Sequence, residues 1–325
     1  MTRPTALKLG TRRSALAMTQ SGMVADQVRR LTGRDVELVE VTTYGDVSRE
    51  HLAQIGGTGV FVSALRDALL NGEIDFAVHS LKDLPTADAD GLTLAAIPSR
   101  EDSRDALVAR DGLTFEQLAL DPRGARVGTG SPRRAAQLNA WARSLGVRIE
   151  TVPIRGNVDT RIGYVASGDL DAVVLAAAGL SRLGRLSEVT ELISPDVVLP
   201  APGQGALAVE CSAADAELIA VLAVLDDPFT RAAVTAERAL LAALEAGCSA
   251  PVGALAEPAF EGADEPITEL RLRGVVGTTD GSSLVQMSIT GPTPVSREEA
   301  LALGRELADE MLAKGAAGLM GERVL

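Results

Sequence analysis

Aromatic residues are scarce in this chain: one Trp, two Tyr and five Phe, 2% of 325 residues. The cores of such a chain are filled by aliphatic packing, from the Ala, Leu and Val that dominate its 46% hydrophobic content. Cysteine is nearly absent too, and Cys211 and Cys248 cannot build a disulfide framework. Two histidines, His51 and His79, supply little material for a zinc site, so no metal is expected. No apolar run reaches the roughly 18 residues that would suggest a membrane span, and Met1–Lys8 has no apolar signal core. The expectation is a cytoplasmic protein without a membrane partner. Positive charge is in deficit, with a formal net charge of -13, which argues against the broad basic face that nucleic acid requires.

Against that acidic background, one interval reverses sign. Between Arg123 and Arg161 lie eight arginines, Arg123, Arg126, Arg133, Arg134, Arg143, Arg148, Arg155 and Arg161, opposed only by Glu150 and Asp159. Arginine is permanently charged and grips carboxylate or phosphate through a rigid fork of donors. A local cluster of this kind implies a fixed site for a ligand with several negative charges.

At 325 residues the chain is long enough for two or three cores. Its first hundred residues alternate strand and helix: a strand at 6–9, a helix from a Ser14 cap to about Leu31, a strand at 36–43, Gly56-Gly57-Thr58-Gly59 leading into a helix at 60–70, and a strand at 75–79. The pattern predicts helices covering a mostly parallel sheet, with ligand loops at strand ends. A second module repeats it, with strands at 106–109, 125–128, 147–152 and 172–176 and helices at 132–145 and 158–167. Pro195, Pro200 and Pro202 interrupt this, and a strand resumes at 205–210. Crossings at Ser99–Asp102 and Pro200–Pro202 fit a chain that leaves one domain and returns to it. The last hundred residues read instead as helices, three strands and a final helix at 297–312, an α+β unit with an antiparallel sheet.

Several motifs fall where strands end. Gly128-Thr129-Gly130-Ser131-Pro132-Arg133-Arg134 combines close approach, free helix N–H groups and paired arginines, an anion-binding device. Arg155-Gly156-Asn157-Val158-Asp159-Thr160-Arg161 repeats it. Neither carries the Lys-Ser/Thr ending of a nucleotide loop or a dinucleotide glycine pattern; separated arginines suit dispersed carboxylates better than one compact phosphate. Ala77-Val78-His79-Ser80-Leu81-Lys82-Asp83-Leu84-Pro85 projects four polar groups from a buried strand end. There Asp83 could stabilise a developing cation or move a proton, and Ser80 and Lys82 could hold an anionic group. The plain structural alternative is a turn in which Asp83 binds backbone N–H groups and His79 satisfies a local carbonyl. Thr11-Arg12-Arg13-Ser14 is another helix entrance, where Ser14 suits a cap and one arginine faces solvent. Cys248, after Gly247, sits on an accessible loop and could serve as nucleophile or attachment point; Cys211 ends an apolar strand and suits burial.

Across nearly its whole length the chain resembles the hydroxymethylbilane synthase (porphobilinogen deaminase) family. The resemblance is carried by Thr11-Arg12-Arg13-Ser14, AVHSLKDLP at 77–85, GTGSPRRAAQL at 128–138, IRGNVDTR at 154–161, LPAPGQGALAVEC at 199–211, TAERALL at 235–241 and GCSAP at 247–251. It implies two periplasmic-binding-protein-like α/β domains plus a smaller C-terminal α+β domain, with bounds 1–99 with 200–219, 100–199, and 220–325. It implies a transferase of tetrapyrrole and heme biosynthesis that joins four porphobilinogen molecules, releases ammonia and hydrolyses off linear hydroxymethylbilane. The implied cofactor is dipyrromethane, held by a thioether to Cys248, and the implied catalytic residue is Asp83, facing the azafulvenium-like cation formed as ammonia leaves. Ser80, Lys82, Asp83, Thr129, Ser131, Arg133, Arg134 and Arg155 match cofactor contacts. Arg12, Ser14, Arg155 and Arg161 match contacts to porphobilinogen and the growing polypyrrole. The family's monomeric state is the expectation here.

Three positions depart from common family wording: Thr58 in place of lysine, Pro132 in place of leucine, and Asp159 in place of glycine. They bear on loop behaviour and rate rather than reaction class. A carboxylate-binding protein of solute-receptor type is the alternative, using the arginines without Asp83 or Cys248. A different transferase for an anionic substrate is a second.

Overall fold

Ser14 stops the first strand and starts the first helix, because its hydroxyl accepts the Ala17 N–H at 3.3 Å and satisfies an otherwise orphaned donor. From this junction the computed structural model builds β1 (Leu7–Thr11), α1 (Ala15–Thr32) and β2 (Val36–Glu40). The residues described are 6–41, 59–245, 250–260 and 267–320. His51, the 56–58 part of the glycine loop and Cys248 lie outside them.

The chain divides into two compact units, Met1–Glu101 with Ala206–Arg231, and Asp102–Gly205 with Ala232–Leu325. In the first, α2 (Gly59–Leu70) and β3 (Phe76–Ser80) follow β2, then β4 (Leu92–Ala96). The sheet order is completed by β10 (Leu207–Ser212), giving β2-β1-β3-β10-β4. Strands β2, β1 and β3 are parallel, while β10 runs antiparallel to both its neighbours. Alternation along β3 explains the two-sided burial. Phe76 and Val78 join Leu9, Val209 and the α1 residues Val24 and Val28, while Ala77 joins Leu65 and Leu69 of α2.

The second unit repeats the plan with β5 (Asp105–Ala109), α3 (Phe115–Ala119), β6 (Ala125–Thr129), α4 (Pro132–Leu145), β7 (Ile149–Pro153), α5 (Val158–Ala166), β8 (Ala172–Ala176), α6 (Ala177–Arg182) and β9 (Glu191–Ile193). Its order is β7-β6-β8-β5-β9, again three parallel strands followed by an antiparallel one. In each sheet the antiparallel strand follows a chain crossing closely: β5 follows 101/102, and β10 follows 205/206. The expected mostly parallel sheets are therefore mixed, because the entering strand arrives from the opposite direction. Leu107, Val127 and Val174 pack with Leu138 of α4 on one face, and Val108, Val173 and Leu175 with Ile162 of α5 on the other.

Helix α7 (Ala216–Leu222) belongs to the first unit and α8 (Pro228–Ala243) runs from it into the second, which also holds a three-stranded antiparallel sheet of β11 (Val252–Pro258), β12 (Glu269–Gly277) and β13 (Leu284–Pro292), followed by α9 (Arg297–Ala313). The two α/β sheets and the smaller α+β element are the fold class expected from the sequence. The turn between β12 and β13 rests on α4. Asn139 Nδ2 donates to the Thr279 carbonyl at 2.8 Å and Arg143 Nε to the Asp280 carbonyl at 3.0 Å. Gly281 makes this fit possible: its φ is +71°, and a Cβ there would lie 2.3 Å from the Ala140 nitrogen.

Candidate active site

In the first unit, β3 delivers Ser80 to a single tight turn, Leu81–Asp83. Leu81 and Leu84 are buried pegs on either side of it, leaving Lys82 and Asp83 half-buried. The Asp83 carboxylate makes no hydrogen bond or ion pair among the described residues, a condition that suits a group reserved for a ligand. Ser80 is oriented from behind: buried Gln20 of α1 donates to its hydroxyl at 3.1 Å. Arg12 is half-buried at the β1–α1 junction, whereas Arg13 is exposed and pairs with Glu40 at 3.0 Å.

His79 does not face a local carbonyl. Its Nε2 lies 3.1 Å from Oε2 of Glu210, which also receives Arg66 at 2.8 Å, all within the first unit. Burial works to raise the Glu210 pKa, but hydrogen bonding to His79 and Arg66 outweighs it and holds the carboxyl below its ordinary value. Cys211, one residue on, is fully buried; burial first, then the charges of Asp215 and Glu210, push its thiol up to about 11. It is neither ionised nor reachable.

In the second unit, β6 ends at buried Thr129, whose hydroxyl accepts the Ser131 N–H at 3.2 Å. Ser131 caps α4 and Pro132 opens its first turn, so proline stiffens the helix start without removing a needed donor. Gly130 allows close approach, since a Cβ there would sit 2.6 Å from the Ile154 carbonyl oxygen. This draws the 129–131 loop against the start of the 154–157 segment. Asn157 caps α5 by accepting the Thr160 N–H at 2.9 Å, and Asp159 in its first turn pairs with Arg185.

Arg133 and Arg134 are buried, and share Asp105. Arg133 Nη1 donates to Asp105 Oδ2 at 2.8 Å and to the Leu199 carbonyl at 2.6 Å. Arg134 Nη2 donates to Asp105 Oδ1 at 2.8 Å and Nη1 to the Val174 carbonyl at 2.9 Å. The Nε of each is buried with no acceptor, a condition that costs about 1–3 kcal/mol per polar group when left unanswered. Arg161 donates from Nε to the Gly156 carbonyl at 2.9 Å. Burial, then the charge of Arg134, lowers its pKa, although a guanidinium stays protonated. Arg155 is exposed and has no protein partner among the described residues. Two helix starts, orphaned Nε donors and excess positive charge are an arrangement able to receive an anion.

Three of the other four arginines of the basic interval are occupied, and Arg148 is exposed. Arg123 pairs with Asp121 at 2.8 Å, Arg126 donates to the Asp169 carbonyl at 2.8 Å, and Arg143 holds the 278–283 turn. Sequence reasoning missed three residues that organise the site. Asp105 carries a signal, an acid opening an otherwise apolar strand; Gln204 lies within the 199–211 stretch that carries the resemblance, and Arg182 carries no signal. Arg182 Nη2 donates to the Gly205 carbonyl at 2.6 Å. No helix among the described residues is long and apolar enough to cross a membrane, and no His, Cys, Asp and Glu cluster among them could hold a metal.

The class these features define is an α/β protein whose second sheet presents two helix starts and buried arginine donors suited to an anion. The family profile described as "Porphobilinogen deaminase, dipyromethane cofactor binding domain" matches residues 7–220, and that of the "Porphobilinogen deaminase, C-terminal domain" matches 231–313. The chain is 76% identical over 320 residues to "Porphobilinogen deaminase 1" of Streptomyces avermitilis, covering 98% of each chain. It is 57% identical over 316 residues to "Porphobilinogen deaminase" of Thermobifida fusca, covering 96% of this chain and 95% of that one. Among solved structures, a periplasmic substrate-binding protein of an ABC transporter from Coxiella burnetii is similar at 12% identity and a TM-score of 0.42, over 69% of this chain and 94% of that one. The chain belongs to the porphobilinogen deaminase family. It is a transferase of porphyrin and heme biosynthesis that acts on porphobilinogen with a dipyrromethane cofactor. The solute-receptor alternative is not favoured.

Proposed function

We propose that the protein condenses four porphobilinogen molecules head to tail, with loss of ammonia at each addition, and releases linear hydroxymethylbilane by hydrolysis. The observation that carries the arginine part of this reading is the pair of buried Nε donors on Arg133 and Arg134 without acceptors. Pyrrole units bearing acetate and propionate groups supply what those donors lack, so the residues present fit a dipyrromethane. When bound, that group supplies the nucleophilic pyrrole end from which the chain is extended.

Arg133, Arg134 and Arg155, with Thr129, Ser131, Ser80 and Lys82, hold cofactor carboxylates. Arg12, Ser14, Arg155 and Arg161 handle substrate, although Ser14 also spends its hydroxyl as a helix cap. Asp83 faces the cation that forms on substrate as ammonia departs; its unpaired carboxylate can stabilise that charge and accept a ring N–H without first breaking a protein contact. Cys248 is the attachment point, which the inaccessibility of Cys211 supports. The three sheets suit the three-domain division 1–99 with 200–219, 100–199 and 220–325. The protein works as a cytoplasmic monomer and binds no nucleic acid. Incubation with porphobilinogen tests the reading: four ammonia per hydroxymethylbilane is the expected yield, and absence of ammonia release would favour a different transferase.

A further inference from the structure

Asp105 is fully buried, and its carboxylate binds three side chains. Oδ2 receives Arg133 Nη1, and Oδ1 receives both Arg134 Nη2 and Gln204 Nε2, each at 2.8 Å. Gln204 Nε2 also donates to the Ser103 carbonyl at 2.8 Å. Gln137 of α4 ties Leu199 at both ends, accepting its N–H at 2.8 Å and donating to its carbonyl at 3.1 Å. The chain enters this unit after Glu101 and leaves it after Gly205, so the entering segment, the leaving segment and the first turn of α4 all meet on one carboxylate. Burial works to raise its pKa, but the charges and hydrogen bonds of Arg133 and Arg134 outweigh burial and keep it ionised.

A structural ion pair needs one arginine per acid. Here two arginines share one, so the cluster carries an excess positive charge inside the protein, a costly arrangement unless a further anion answers it. We propose that Asp105 is a positioning residue for the arginine site: it orients Arg133 and Arg134 so that their remaining donors meet the ligand carboxylates, and locks that orientation to both segments through which the chain enters and leaves. The proposal rests on the assignment of Arg133 and Arg134 to carboxylate binding. Asp105 touches no ligand itself; it acts through the two guanidiniums.

The test compares purified Asp105→Asn, Asp105→Glu, Leu107→Ala and Arg134→Lys with the parent. Denaturing intact mass gives the fraction carrying cofactor, and steady-state kinetics per cofactor-bearing molecule give KM and kcat. Leu107 is a core residue of the same strand, so Leu107→Ala reports on general destabilisation alone. In Asp105→Asn the loaded fraction should fall, and kcat/KM in what remains should drop on the order of 100-fold, the scale of a misplaced binding group. Asp105→Glu, which keeps the charge, should recover loading with KM still raised, and Leu107→Ala should melt earlier with normal loading and KM. Full loading with unchanged KM in Asp105→Asn would overturn the proposal, as would an equal KM change in Leu107→Ala. If Asp105→Asn does not fold, an unchanged KM in Asp105→Glu overturns it. Normal loading and KM in Arg134→Lys would instead defeat the arginine-site assignment, whereas an impaired Arg134→Lys beside a normal Asp105→Asn defeats only the positioning role.

Discussion

Replacing Asp83 by asparagine separates chemistry from stability more cleanly than any other change in this protein. The side chain keeps its shape, and the carboxylate has no hydrogen bond or ion pair among the described residues to lose. Its turn is held by the buried neighbours Leu81 and Leu84, which remain. Stability should therefore change by no more than about 0.5 kcal/mol, as for a substitution that breaks no named contact. Turnover should behave differently, because in the role proposed for Asp83 a fixed negative charge beside a developing cation is replaced by a neutral amide. Removing one preorganised electrostatic group costs about 2.7–4 kcal/mol, or roughly 10²- to 10³-fold in kcat. An interaction made in the transition state lowers kcat and kcat/KM together. Urea unfolding supplies the first quantity and ammonia release per cofactor-bearing molecule the second, with intact mass showing that attachment is retained. A kcat within about threefold of the parent would refute the role of Asp83, and a stability loss beyond about 1 kcal/mol would refute its lack of protein partners.

Two further outcomes follow from the geometry. Gly281→Ala should destabilise the protein by about 3 kcal/mol, combining the left-handed φ with loss of the Asn139 and Arg143 hydrogen bonds as the turn lifts from α4. Urea unfolding reads this, and a loss under about 1 kcal/mol would contradict the close docking. Asp105 has a folded pKa depressed below the ordinary carboxylate value near 3.9. Its contribution is fully present above the unfolded pKa and fades as pH falls toward the folded one. The stability gap between the parent and Asp105→Asn should accordingly narrow below about pH 4, and a gap constant with pH would contradict the buried ionised state.

Much of the local structure was legible from residue types. The caps Ser14, Ser131 and Asn157 mark three helix starts, and apolar runs such as 172–176 mark buried strands. Two kinds of feature were not. The short strand Leu92–Ala96 and the antiparallel insertion of Leu207–Ser212 beside it depend on where the returning chain enters the sheet, which periodicity does not encode. The partner of Arg133 and Arg134 lies at Asp105, on another strand, so local pattern gave the arginines without their counter-charge. This changes what the basic interval means: its most buried arginines are an ion-paired frame with donors to spare, not a free row of charges. The motif containing Asp83 was legible because strand and turn are contiguous, whereas the pairing of His79 with Glu210 required the register between two distant strands.

The most direct test is the location of the covalent cofactor. Denaturing mass spectrometry of the holoprotein followed by peptide mapping should find one dipyrromethane addition, confined to the peptide containing Cys248 and lost in Cys248→Ala. An adduct on another residue, or none in protein that converts porphobilinogen, would contradict the assignment.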